Sequence, residues 1–190
     1  MTPGWDSSIG VWSMQPRTTS FRGEFEWSRQ WIPALRRFIG PHLLREATLE
    51  EDRTQATDLI VLATAGLRVA CRVRHPGYAG KFGKEFTITC RRETGAACEF
   101  DKLILAGWAD WFCYAHATTE GVTDGGKLQP AYLVDLRCAR SWISRNHGRE
   151  LGPNKDPVGS RCWFYAISID ALIAACGLDA LVAVRWPLAA

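Results

Sequence analysis

Asp58-Leu59-Ile60-Val61-Leu62, then Arg68-Val69-Ala70-Cys71-Arg72-Val73-Arg74, then Phe86-Thr87-Ile88-Thr89: the fold class turns on these three runs. Each reads as a strand. Leu59 to Leu62 is a compact apolar run. Leu67, Val69, Cys71 and Val73 alternate with Arg68, Ala70, Arg72 and Arg74, a period of two with one apolar and one basic face. Phe86, Ile88 and Cys90 alternate with Glu85, Thr87, Thr89 and Arg91 in the same manner. If the last two strands are neighbours, as their short connection favours, Arg72, Arg74, Thr87, Thr89 and Arg91 share one sheet face.

Around these strands the pattern turns helical. The spacing predicts a helix from Ala97 to His116, with Phe100, Leu103, Ile104, Gly107, Trp108, Trp111 and Phe112 as its buried stripe. Lys102 and Asp110 fall on the opposite side. Further on, Tyr132 to Leu136 reads as a strand, Cys138 to Arg145 as a short helix, Asn146 to Ser160 as a polar loop, and Trp163 to Ile167 as a last strand. Ser168 caps a helix from Ile169 to Cys176, which Gly177 closes. Upstream, residues 1–22 form an irregular arm bearing Trp5 and Trp12. Glu24 to Leu44 has helical spacing that Pro33 interrupts and Pro41 ends. Thr48-Leu49-Glu50-Glu51 has the form of a capping box. The expected architecture is α/β: a small mixed sheet flanked by helices, with an N-terminal arm and helix over 1–47 and an α/β domain over 48–190.

Composition excludes several classes. A chain that is 47% hydrophobic and 23% charged has the material of an ordinary globular core. No apolar run is long enough to predict a transmembrane helix, and the N-terminus lacks the blocks of a signal peptide, so a cytoplasmic protein without a membrane partner is expected. The seven cysteines are scattered without a C-x-x-C pair, and the four histidines do not cluster. Most of the cysteines sit inside apolar patterns and read as small buried hydrophobes, not zinc ligands. Phosphate-loop, dinucleotide-binding and H-E-x-x-H motifs are missing, which removes support for nucleotide hydrolysis, dinucleotide binding and zincin chemistry. A net charge of +3 says little, but seven Lys or Arg residues lie between Arg68 and Arg92 against the single acid Glu85.

Two constellations carry candidate chemistry. Asp58, Glu85 and Glu99 are the acids that a Mg²⁺-dependent phosphodiester hydrolysis would need to converge. The plainer alternative gives Asp58 a turn to cap, Glu85 to solvent and Glu99 a helix N-terminus to satisfy. Arg72 and Arg74, backed by Arg68, Lys81, Lys84, Arg91 and Arg92, are candidate nucleic-acid contacts, because guanidinium forks match phosphate oxygens. Their alternative is internal pairing with Glu85, Glu99 and Asp101. Trp108 and Trp111 read as core, whereas Trp5 and Trp12 read as partner anchors.

The runs Thr57-Asp58-Leu59-Ile60-Val61, Arg68-Val69-Ala70-Cys71-Arg72 and Glu99-Phe100-Asp101-Lys102-Leu103 resemble the core of the PD-(D/E)XK superfamily, which holds restriction endonucleases and archaeal-type Holliday-junction resolvases. The resemblance implies that Asp58 is the metal acid. It puts Ala70 in the slot of the second acid and Arg72 in that of the lysine, and alanine offers a metal nothing. Either Glu85 or Glu99 takes over that role, or the fold serves binding alone. The segment from Glu50 to His116 also looks like uncharacterised proteins of phages and mobile elements. The leading expectation is a nucleic-acid-associated protein of nuclease-like fold that grips a phosphate backbone on a basic strand face. Cleavage is left open. If active it would be an endonuclease with Mg²⁺ on Asp58 and Glu85 or Glu99, and with Arg72 stabilising phosphate charge. The alternative is a non-enzymatic, anti-CRISPR-like inhibitor of a host nucleic-acid-defence complex. A homodimer is a further association to test.

Overall fold

Seven consecutive residues, Trp111 to Ala117, make the strand on which the molecule is built, with Trp111, Phe112 and Tyr114 as its strong β-formers. All seven are buried. The computed structural model describes residues 21–46, 59–61, 66–122, 126–155 and 159–185. Asp58, the capping box at Thr48, and the arm with Trp5 and Trp12 lie outside them.

Helices α1 (Phe21–Arg29) and α2 (Ile32–Ile39) come first, the second beginning with Pro33 in its first turn. A 3-10 turn at Gly40–Leu43, containing Pro41, follows. Strands β1 (Leu44–Glu46) and β2 (Leu59–Val61) pair as an antiparallel ribbon. Strand β3 (Val69–Arg74), helix α3 (Ala79–Phe82) and strand β4 (Glu85–Arg92) precede a π-helical segment at Phe100–Leu105. Then come β5 (Trp111–Ala117), β6 (Leu128–Asp135), α4 (Leu136–Arg145), β7 (Arg149–Lys155), β8 (Arg161–Ser168), α5 (Ile169–Cys176) and β9 (Leu181–Arg185). The larger sheet has the order β3-β5-β6-β9, with β3 and β5 parallel and the other pairs antiparallel. A second sheet, β4-β8-β7, is wholly antiparallel.

The chain is thus mixed α/β, and its layers follow from the two faces of β5. Trp111, Cys113, Ala115 and Ala117 join Leu133, Trp31 at the start of α2, and the α2 residues Leu35 and Phe38 in one apolar cluster. Phe112 and Tyr114 face the other way, onto Phe86, Ile88 and Ile167 of the second sheet and onto Leu136, Ile143 and Leu172 of α4 and α5. The N-terminal helix α2 therefore covers the sheet as part of its core. Cys98, Cys113 and Cys162 are buried as expected, while Cys71 and Cys138 are exposed. Among the described residues no helix is long and apolar enough to cross a membrane.

Three expectations need correction. The helix from Ala97 to His116 is one π-helical segment followed by β5. Gly107 (φ +67°) breaks the helical course, and a strand buried on both faces carries no period-two signature. The polar stretch Asn146 to Ser160 contains the strand β7. Finally, β3 and β4 are not neighbours in one sheet; they belong to different sheets.

Candidate nucleic-acid interface

Arg72 joins the two sheets. From β3 its guanidinium donates to the Thr87 carbonyl (3.2 Å) and the Thr89 hydroxyl (3.1 Å) of β4, and it forms an ion pair with Glu99. The same Glu99 carboxylate accepts the Thr89 N–H at 2.9 Å. The Arg72 and Glu99 side chains keep only 18% and 29% of their exposure, so the pair is partly shielded from water. Internal pairing, the plainer alternative for this arginine, is what the geometry shows. Glu99, at the N-cap position of the π-helical segment, makes no cap bond to it. Asp101, in its first turn, accepts from the Cys98 N–H at 2.8 Å and the Cys98 thiol at 3.0 Å. These bonds hold its carboxyl below the usual carboxylate range.

Several other sequence candidates also have partners. Glu85, at the start of β4, pairs with Arg149 at 3.0 Å. Arg91 pairs with Glu150 at 3.3 Å and lies 4.1 Å over the Trp163 ring. Arg68 lies 3.7 Å from Asp110, and Arg92 is half-buried on β4. Glu85 and Glu99 are not brought together. Glu99 grips Thr89, four residues along β4 from Glu85, a span of about 13 Å. Carboxylates so placed, each facing an arginine, do not fit one Mg²⁺, whose ligands lie at roughly 2 Å. Among the described residues no three His, Cys, Asp or Glu side chains gather within reach of a metal ion.

The remaining cations form a different grouping. Arg74 ends β3 with its guanidinium 4.7 Å from the Tyr78 ring. Tyr78 stacks on Phe82 at 6.3 Å, and Lys81 lies 5.2 Å from the Phe82 ring. Lys84 is exposed just beyond. Among the described residues no carboxylate pairs with Arg74, Lys81 or Lys84. The rings attract the charged heads of Arg74 and Lys81 by cation–π interaction without neutralising them. The i, i+4 spacing of Tyr78 and Phe82, in a stretch from Arg68 to Lys84 without acid, is the sequence signal for this patch.

A second surface feature departs from the expected core role. Trp108 is 58% exposed, and Leu105 beside it is exposed as well. Lys102 lies 5.9 Å from the indole. The loop is firmly held. Arg140 donates to the carbonyls of Leu103 (3.1 Å) and Ala109 (2.6 Å), and Arg68 donates to that of Gly107 (3.2 Å). The Asp110 carboxylate accepts the Arg68 N–H at 2.9 Å, a bond that, with the Arg68 charge, keeps its carboxyl below the ordinary range. Gly107, one residue before the indole, was the available clue that the helical pattern stops.

An open groove of about 440 Å³ is lined by Glu85, Trp142, His147, Arg149 and Ser168. His147 donates from Nε2 to the Ser144 carbonyl (2.6 Å) and stacks on Tyr165. The Glu85–Arg149 pair cancels the charge of the groove, so it offers a phosphate little attraction. Comparison with protein-family models, with curated proteins and with solved structures finds no match.

Proposed function

We propose that the protein is a nucleic-acid-associated binder that grips a phosphate backbone with Arg74, Lys81 and Lys84. The observation that carries this reading is the cation–aromatic patch itself: three cations without a carboxylate partner among the described residues, two of them held against rings. Cations in this state attract phosphate oxygens and release counterions when they bind. Arg72, which the nuclease resemblance would place on the scissile phosphate, serves in this account as an inter-sheet tie. Binding is therefore the activity assigned, and no hydrolytic step is derived from Glu85 and Glu99. The inhibitor reading draws on one specific observation, the adjoining exposed side chains Leu105 and Trp108, which suit a protein partner better than a phosphate.

Fluorescence anisotropy with labelled single- and double-stranded DNA and RNA, across a salt titration, tests the proposal. Wild type binds, with affinity falling steeply as salt rises. The Arg74→Ala/Lys81→Ala/Lys84→Ala variant binds more weakly, with a salt slope lower by about 1 for each phosphate contact removed. Equal binding by that variant contradicts the assignment. Adding Mg²⁺ or Mn²⁺ tests the nuclease resemblance in the same tubes, since cleavage lost in Asp58→Ala would show a working metal acid.

A further inference from the structure

We infer that the Trp108 loop is a base-stacking site and makes the protein prefer single-stranded over duplex nucleic acid. This rests on the nucleic-acid reading above and names the substrate class within it.

The exposure of Trp108 is built into the loop. Five bonds fix the loop that carries it: those of Arg140 to Leu103 and Ala109, that of Arg68 to Gly107, and the two between Arg68 and the backbone and side chain of Asp110. Gly107 has φ +67°, and the Arg140 guanidinium carbon lies 3.4 Å from where its Cβ would be. The left-handed φ is what calls for glycine there, since a Cβ would meet the guanidinium only at ordinary contact distance, and the next residue, Trp108, stands in solvent. With the backbone already fixed, a flat ring that settles on the indole has no loop to order.

The charges around it suit nucleic acid. Lys102 stands 5.9 Å from the ring, and the Arg68 side chain, bonded to the neighbouring Gly107, is 61% exposed. Phosphates flanking a stacked base would meet Lys102 first, and then the exposed Arg68, whose charge Asp110 partly offsets at 3.7 Å. Arg68 and Arg74 bracket β3, so the indole and the Arg74–Lys84 patch lie about 20 Å apart along that strand, within the span of a short single strand. Bases within a duplex already stack on each other and show no open ring face, whereas an unpaired base does.

The test is anisotropy of the full chain with a labelled oligothymidylate and with a duplex of equal length. Wild type should bind the single strand more tightly. Trp108→Ala should weaken the single strand roughly five- to a hundredfold and leave duplex affinity and salt slope unchanged. Trp108→Phe should retain most of the affinity. If Trp108→Ala binds the single strand like wild type while Arg74→Ala/Lys81→Ala/Lys84→Ala binds weakly, stacking is overturned and the phosphate grip stands. If wild type binds no oligonucleotide, both are overturned.

Discussion

Arg72 and His116 sit on neighbouring strands and show how differently a buried charge and a buried neutral group behave. Arg72 has four contacts: Glu99, two groups of β4, and the Phe164 ring at 5.7 Å. Arg72→Ala leaves Glu99 half-buried opposite no cation, which should cost about 2 kcal/mol after allowance for partial exposure. Urea melts of Arg72→Ala, Glu99→Ala and the double variant measure this, and the double variant should lose less than the sum. His116 is fully buried on β5, with neither ring nitrogen hydrogen-bonded among the described residues. Burial and the Arg74 charge lower its pKa to about 4. The unfolded chain, with an ordinary value near 6.5, takes up the proton first as pH falls. Stability is therefore complete above about pH 6.5 and declines toward pH 4, by on the order of 3 kcal/mol from this group. His116→Leu should remove that part of the dependence, measured as the difference between the two stability–pH curves. The arginine was readable as a candidate from its place on an amphipathic strand. Its partner was not, because sequence gives residue types and not which sheet faces which.

At the scale of elements, legibility followed exposure. β4 is the exception: Phe86 to Thr89 are all buried, and it still alternates in residue type because Thr87 and Thr89 spend their hydroxyls on Tyr114 and Arg72. The cap at Ser168 and the stop at Gly177 are written in single residues. β5 is buried on both sides, so its apolar residues do not alternate and mimic a helix stripe. β7 was hidden for the opposite reason: its polar side chains and Pro153 suit an edge strand as well as a loop. Gly148 opens β7 at φ +76°, where a Cβ would run into the Ala166 carbonyl of β8. Gly148→Ala should therefore destabilise by at least about 1–3 kcal/mol, read from its melting midpoint. Leu35 of α2 is 4% exposed against the sheet. Leu35→Ala should cost about 2–5 kcal/mol in the same measurement if α2 is part of the core. A loss near zero would make residues 1–47 the separate appendage that the sequence suggested.

Across the whole molecule, charge is organised by pairing more than by amount. Arg72, Arg91, Arg137, Arg149 and Arg161 each face a carboxylate. The net charge of +3 hides a local excess at Arg74, Lys81 and Lys84. The basic run between Arg68 and Arg92 was visible in the sequence, but which of its members are neutralised depends on acids far along the chain, such as Glu150 and Asp110. The exposed Trp108 was likewise out of reach, since its place depends on Arg140 from α4 closing over Gly107. The unneutralised cations are proposed to hold a phosphate backbone. The salt dependence of oligonucleotide binding by wild type and by Arg74→Ala/Lys81→Ala/Lys84→Ala tests it most directly. Wild type should show a steep slope that falls by about 2–3 in the variant. Identical slopes, or no binding by wild type at low salt, would contradict it.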